Sequence, residues 1–307
     1  MTRRTALRLG LLGGAGTAVA GCGVASLMLA PASPAPSWPP VSYELGDVRV
    51  TAFRTGAVAV KRAHREYGGP RALRLPAIVA DPRWTPWLPV TCWLVEHPDG
   101  PILVDTGETA RTSDPGYFDC DPGTAFVYER LLRFEVAEVD EIGPQLRAFG
   151  VPPTSIPTVA LTHLHSDHAG GLSHFPDAVF LLSEIEVRSP AQGALPCRWP
   201  AHFRPTGVAY TDGPFGAFAA SQALTDDGAV RLVPTPGHTR GHQSVLIEGA
   251  GRWLLLAGDA SFSLDQVQRR AVAGISEDPA AARRTLGVIA EQVERYETIY
   301  LAAHALP

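Results

Sequence analysis

The sequence predicts an α/β domain, and three observations carry that prediction. Short apolar runs that read as buried strands recur between residues 47 and 301, with segments of helical spacing between several of them. The chain has 307 residues, 45% of them hydrophobic and 19% charged, which suits a sizeable core and argues against disorder. The histidines and aspartates able to do chemistry fall just after the ends of the apolar runs. Strand ends gathered along one sheet edge are where α/β proteins build sites. The formal net charge is −5 and no basic cluster is interleaved with aromatics, so nucleic acid is not an expected partner.

The first 40 residues stand apart. Residues 2–8 form a charged stretch with the paired Arg3 and Arg4, and a weakly apolar, glycine-rich segment follows to Ala20. Small residues then lead directly to Cys22. This resembles a twin-arginine export signal over residues 1–21 ending in a bacterial lipobox, with Cys22 as the lipidated first residue of the mature protein. Cleavage after the Ala30-Pro31-Ala32 triplet, or an uncleaved anchor over residues 9–30, are the alternatives. Residues 22–40 read as a tether, with five prolines between Pro31 and Pro40. A membrane partner through an N-terminal lipid is therefore expected. The expected location is the outer face of the cytoplasmic membrane, or a periplasmic or extracellular one if cleavage differs. The catalytic-size domain is assigned to residues 41–307.

Within that domain, residues 47–53 alternate as a half-buried strand does. Residues 61–89 are irregular and rich in Arg, Pro and Gly, either a lid or pocket wall or a solvated insertion anchored by Trp84 and Trp87. Residues 89–96 and 102–107 read as two strands joined by the turn His97-Pro98-Asp99-Gly100, with Asp105 placed to support a ligand. Residues 136–150 have helical spacing, Pro144 being tolerable only near the first turn and Gly150 marking the stop. A strand over 159–161, a strand over 179–182 and a short helical stretch over 183–187 follow. Residues 190–228 carry Trp199, Phe203, Tyr210, Phe215 and Phe218 among prolines and glycines, a second candidate pocket wall. Residues 230–247 read as strand, Pro-Gly turn with His238, and strand; residues 253–262 as a buried strand ending on Asp259. Ser276 or Asp278 can cap a helix to about Glu294, and a last strand over 298–301 leads to His304. Cys92 reads as a buried thiol, whereas Cys120 and Cys197 lie in loop-like sequence and either pair or stay free.

The stretch Thr162-His163-Leu164-His165-Ser166-Asp167-His168-Ala169-Gly170-Gly171 organises the rest. Four metal-capable side chains lie within six residues, between an apolar strand and a glycine pair. Imidazoles and a carboxylate without cysteine suit metals of intermediate to hard character. In an extended loop positions 163 and 165 point one way while 167 and 168 can face a second point, so one turn can begin two metal sites. A histidine-rich surface loop is the bland alternative, and four ligands at this spacing argue against it.

His163-x-His165-x-Asp167-His168, Thr235-Pro-Gly-His238-Thr-x-Gly-His242, Gly258-Asp259 and the late His304 together resemble the dinuclear hydrolases of the metallo-β-lactamase superfamily. Residues 88–96, 100–107 and 241–248 resemble its N-acyl-homoserine lactonases in particular. The resemblance covers roughly residues 45 to 304 and implies a four-layer αββα sandwich with metals at one edge of two sheets. By position it implies that His163, His165 and His238 hold one divalent ion, Asp167, His168 and His304 a second, and Asp259 bridges the pair. Zinc is the expected metal, with His242 and Asp105 supporting the ligands. His64, His97, His174 and His202 are read as unrelated to metal.

Two such ions lower the pKa of a shared water and polarise a carbonyl or phosphoryl oxygen. Asp167 is the expected catalytic residue, orienting the nucleophile and passing a proton to the leaving alkoxide. The expected activity is opening of N-acyl-homoserine lactones. Aryl esterase, phosphotriesterase, thioesterase and β-lactamase activities are the alternatives on the same scaffold. A non-catalytic binding lipoprotein fits poorly, because buried charged ligands without a metal are costly. One departure stands out: the lactonases typically carry a tyrosine three residues after the bridging aspartate, and here that residue is Phe262. Phe262 and Tyr210 are the expected substrate-pocket residues, Tyr210 being the first candidate for the missing hydroxyl.

Overall fold

In the computed structural model, residue 31 and residues 34–305 are described. The expected export signal, Cys22 and the start of the tether lie outside the described residues. No described helix is long and apolar enough to cross a membrane.

The apolar alternation read from the sequence becomes two packed sheets. The first comprises β1 (Val41–Leu45), β2 (Val48–Val60), β3 (Leu88–His97), β4 (Gly100–Val104), β6 (Thr158–Ala160), β7 (Val179–Ser183) and β8 (Pro205–Val208), adjacent in that order. β5 (Leu132–Glu135) pairs with the far half of β2. β1 to β4 run antiparallel, and β4, β6, β7 and β8 run parallel. The second sheet is ordered β13 (Thr298–Leu301), β12 (Arg252–Leu256), β11 (Gln243–Gly249), β10 (Val230–Pro234), β9 (Gln222–Ala223), and only its β12–β13 pair is parallel.

Side chains two apart on a strand share a face, and β3 shows how this builds layers. Trp93 and Val95 face inward and pack with Val245, Ile247, Leu254 and Leu256 of the second sheet. Cys92 and Leu94 face outward and pack with Ile142 and Leu146 of α4 (Ile142–Phe149). On the opposite side, Val233, Leu246 and Leu255 pack with Leu286 and Ile289 of α8 (Pro279–Arg295) and Val267 of α7 (Leu264–Arg269). Helix, sheet, sheet, helix is the four-layer αββα sandwich.

Several local expectations are corrected. Residues 61–89 are not irregular throughout: they contain α1 (Arg62–Arg65) and α2 (Arg74–Ala80), the first secured by Ala63 N–H donating to Asp81 Oδ2 at 2.9 Å, and α3 (Pro122–Leu131) follows further on. The helix expected over 136–150 occupies only Ile142–Phe149; Glu138–Asp140 form a separate 3₁₀ turn, and the non-helical ψ of Glu141 (150°) breaks the run. Pro144 falls in its first turn, and Gly150 closes it at φ +92°. Asp278, not Ser276, caps α8 by accepting from Ala280 and Ala281 N–H. The aromatics of 190–228 go to the cores instead of a pocket wall: Phe203 packs outside the first sheet and Phe218 outside the second. Cys120 and Cys197 form a disulfide, and Cys92 is a buried free thiol.

Candidate metal centre

The register of β4 on β6, Val104 opposite Ala160, places Asp105 beside Thr162 at the ends of two parallel strands. Asp105 is fully buried with φ +60°, a left-handed conformation that Asp and Asn tolerate better than other side chains. Its Oδ1 accepts from Thr162 N–H at 2.7 Å, and its Oδ2 accepts from Thr162 Oγ1 at 2.9 Å and His168 Nδ1 at 2.8 Å. The ligand loop then turns into α5 (Ser166–Ala169). Gly170 and Gly171 allow this turn to close, since a Cβ on either would collide with backbone of residues 106–108.

Each ligand arrives on the end of a strand. His163, His165, Asp167 and His168 follow β6, His238 follows β10, Asp259 follows β12 and His304 follows β13. The structure brings all seven together. His163 Nε2 and His238 Nε2 each approach His165 Nδ1 to 3.0 Å. Asp259 divides its oxygens: Oδ2 lies 3.4 Å from His238 Nε2, while Oδ1 lies 3.3 Å from both His168 Nε2 and His304 Nε2. Asp167 Oδ2 lies 3.3 Å from His304 Nε2.

The outer nitrogens determine what faces this centre. His168 Nδ1 donates to Asp105, His304 Nδ1 to Pro89 O at 2.8 Å, and His165 Nε2 to Gln192 O at 3.1 Å. Thr162 Oγ1 spends its proton on Asp105, so it accepts from His163 Nδ1 at 3.0 Å. In the neutral form each of these four histidines therefore points a lone pair inward, the arrangement that outer hydrogen bonds enforce on metal-binding imidazoles. The inward lone pairs of His163 Nε2 and His165 Nδ1, 3.0 Å apart, repel one another without a cation between them. His168 Nε2 and Asp259 Oδ1 are buried without a hydrogen-bond partner. The nitrogen and oxygen donors present, split into two groups joined by one carboxylate, fit a pair of divalent ions.

Charge follows geometry. Burial pushes His163 and His238 well below the usual histidine range, and the neighbouring imidazoles reinforce this for His163. Burial opposes ionisation of Asp259 and Asp167, but the surrounding histidines outweigh it and hold Asp259 well below its usual value and Asp167 at about 2. Burial takes His242 down to about 3, so it is neutral. Its Nε2 accepts Asp259 N–H at 3.0 Å, which leaves Nδ1 to donate to Thr235 Oγ1 at 2.8 Å. His242 thus fixes the backbone of the shared aspartate.

Two carboxylates that no sequence signal singled out secure the ligand loops. Glu186, fully buried in α6 (Glu184–Arg188), accepts from Leu164 N–H on Oε1, and from Thr239 Oγ1 at 2.7 Å and Gly241 N–H on Oε2. One side chain thereby joins the His163/His165 loop to the His238 turn. Glu108 accepts from Ser166 Oγ at 2.5 Å, and burial together with nearby Asp167 raises it to about 8. Of the histidines read as unrelated to metal, His97, His174 and His202 pair with Asp227, Glu141 and Leu172 O away from the centre. His64 does not: it lines the cavity above the ligands.

That cavity and its solvent-open mouth together span about 480 Å³ free of protein atoms. Its floor is His165, Asp167, His238, Asp259 and His304, and its walls include Val58, Val60, Val127, Leu132, Ile275 and Phe262. Phe262 stacks on His304 with ring centroids 5.6 Å apart. Tyr210 is absent from the cavity lining; it packs against the core between the sheets and donates its hydroxyl to Gln243 Oε1 at 2.7 Å. The expectation that it supplies a hydroxyl to substrate is corrected: β11 has claimed that group.

The metallo-β-lactamase superfamily model matches residues 85–291, most of the folded region and six of the seven candidate ligands. The chain belongs to the metallo-β-lactamase superfamily. Over 180 residues it is 34% identical to the "probable metallo-hydrolase" Rv2300c of Mycobacterium tuberculosis, the match covering 55% of this chain. The chain spans only 56% of that relative's length. It is 30% identical over 222 residues to an N-acyl homoserine lactonase of Bacillus thuringiensis, covering 71% of this chain and 81% of the relative. A solved N-acyl homoserine lactone hydrolase, with N-hexanoyl-L-homoserine bound at its metal centre, superposes with a TM-score of 0.68 at 23% identity. That superposition covers 86% of this chain and 95% of the other and shows a shared fold.

Proposed function

We propose that this superfamily member is a metal-dependent hydrolase and, within that class, a lactonase acting on N-acyl-homoserine lactones. The observation that carries the reading is one carboxylate, Asp259, shared by two ligand groups at the floor of a mostly apolar cavity. Divalent ions held by these residues, zinc being the expected metal, would supply Lewis-acid polarisation of a carbonyl and a nucleophilic water at neutral pH. The protein's own groups do the rest. Asp259 keeps the two ligand groups at fixed spacing, with His242 fixing its backbone. Asp167 is ionised, lines the cavity and has a carboxylate oxygen positioned to take a proton and return it to the leaving alkoxide. Val58, Val60, Val127, Leu132 and Ile275 exclude water and accept an acyl chain.

Phe262 supports a second reading, hydrolysis of aryl esters or phosphotriesters. It presents an apolar face beside His304 and has no donor for a leaving oxygen. A hydrolysis panel on the metal-loaded protein separates the two, with metal content measured in parallel. The first reading expects highest kcat/KM on N-acyl-homoserine lactones, about two ions per chain, and loss of most activity in Asp259→Ala. Preference for aryl esters or phosphotriesters with the same metal content favours the second. A fully active Asp259→Ala protein refutes the dinuclear mechanism in both. From the sequence alone we also propose export, with Cys22 as a lipid attachment site.

A further inference from the structure

We propose that His64 is a specificity-determining residue, the polar group that the cavity wall offers to an amide carried by the substrate beside its scissile carbonyl. The inference rests on the hydrolase reading above and adds a residue to it. His64 lies in α1, is only 6% exposed, and lines the cavity together with Asp167, His238, Asp259 and His304. Most of the wall around it is aliphatic. Its Nδ1 is buried without a hydrogen-bond partner. Native interiors rarely leave such an atom unmatched, and a ligand group is one way to match it.

The position is built, not incidental. His64 O accepts from Ile275 N–H at 3.3 Å, and a Cβ at Gly274 would collide with Ala63 O, so this close approach requires glycine. The buried Gln266 joins α1 to the residue facing the histidine: its Nε2 donates to Arg65 O at 3.0 Å and its Oε1 accepts from Phe262 N–H at 2.8 Å. The His64 and Phe262 rings meet edge to face with centroids 6.5 Å apart. His304, Phe262 and His64 thus form a sequence of rings leading from the metal ligands up the wall.

Burial takes His64 down to about 4, so the ring is neutral at pH 7. A neutral imidazole has one donor nitrogen and one acceptor nitrogen. With no protein group on Nδ1 to select the tautomer, the ligand can do so, and either the N–H or the carbonyl of an amide is a suitable partner. A plain alkyl lactone or alkyl ester has no such group and would leave the nitrogen unmatched. Sites built to hydrogen-bond a substrate group reject the analogue lacking it more strongly than apolar walls reject a missing methylene.

The test compares substrates in pairs that differ by the amide, on the metal-loaded enzyme. One pair is N-hexanoyl-homoserine lactone and α-heptyl-γ-butyrolactone; the other is the 4-nitrophenyl ester of N-hexanoylglycine and 4-nitrophenyl nonanoate, so the chain atoms match in number within each pair. His64→Phe should lower kcat/KM about tenfold for the amide-bearing member, chiefly through KM, and leave the amide-free member within twofold. His64→Gln, which keeps a donor and an acceptor, should recover part of the preference. Calorimetric binding of ring-opened N-hexanoyl-homoserine gives a readout independent of turnover and should weaken by a similar factor in His64→Phe. An unchanged preference in His64→Phe, or an equal fall for both members of a pair, overturns the assignment. Turnover of the ester pair but neither lactone, with the His64 effect present, defeats the lactone reading and upholds His64. If neither pair is turned over, the product-binding ratio decides alone, and unaltered or absent binding overturns the proposal.

Discussion

Replacing Asp105 by Asn isolates the charge and acceptor capacity of the carboxylate on which the second ligand group depends. The backbone does not complicate the experiment, because Asn tolerates the φ of +60° as well as Asp. In the native protein both oxygens only accept: Oδ1 from Thr162 N–H, Oδ2 from Thr162 Oγ1 and His168 Nδ1. An amide must turn its NH2 toward one of these sets. Facing Thr162 N–H, it leaves two buried donors opposed, a penalty of about 1–3 kcal/mol. Facing His168, it is relieved only if the imidazole moves its proton to Nε2, which removes the lone pair aimed at Asp259 and the second ion. Loss of such an outer partner typically weakens metal binding by about 10–100-fold, or roughly 1.4–2.7 kcal/mol. The first group, His163, His165 and His238, has no direct bond to Asp105, although Thr162 touches both Asp105 and His163. Titration of metal-free Asp105→Asn with zinc against a competing chelator should therefore give a near-native first equivalent and a second weakened by about 10–100-fold. Two equivalents bound as tightly as in the native protein would refute the assignment of Asp105 as the support of His168.

Glu186→Gln should disturb the other group: whichever way the amide turns, its NH2 meets Leu164 N–H or the Thr239 and Gly241 donors. We expect a loss of about 1–3 kcal/mol in urea unfolding and a first zinc equivalent weakened more than the second; weakening confined to the second would contradict the loop-joining role. Removing the Cys120–Cys197 disulfide with paired serines opens a span of 77 residues, for which about 2–4 kcal/mol of stability is at stake. Unchanged unfolding under non-reducing conditions would show that the bond contributes nothing. At the N-terminus, Arg3→Lys with Arg4→Lys should block export and Cys22→Ala should release the protein from the membrane fraction. An intact, unmodified N-terminus in cells, measured by mass spectrometry, would end the lipoprotein proposal.

The parts of the fold legible in the sequence are those governed by local periodicity. β3, β4 and β12 are rich in apolar runs, and a residue buried on both faces of a sheet has little alternative to being apolar. The segment before α4 was illegible for the complementary reason. Leu132–Glu135 has no strong strand pattern and becomes a strand because the long β2 offers it an unpaired edge, a tertiary effect that overrides propensity. The aromatics between 199 and 218 read as a pocket wall because composition records that large rings are present, not which layer they enter.

The site divides along the same line. The candidate cluster was legible because one loop that supplies several donors does so at fixed short spacing, and His163, His165, Asp167 and His168 leave that spacing in the chain. Asp105 could be suspected from its place after a strand. Glu186 acts over separations of 22 and 55 residues, mainly through backbone N–H groups any sequence possesses, and His64 stands far in sequence from the ligand loop it faces. His64 carries the sharper lesson. A histidine on an arginine-rich, proline-rich segment has no local reason to face a metal centre. It does so because Asp81 secures α1, Gly274 permits a close backbone contact and Gln266 ties α1 to Phe262. Each of those residues is unremarkable alone. Together they hold a neutral polar ring in a mostly apolar wall, and discrimination between substrates of equal size follows from that difference in polarity.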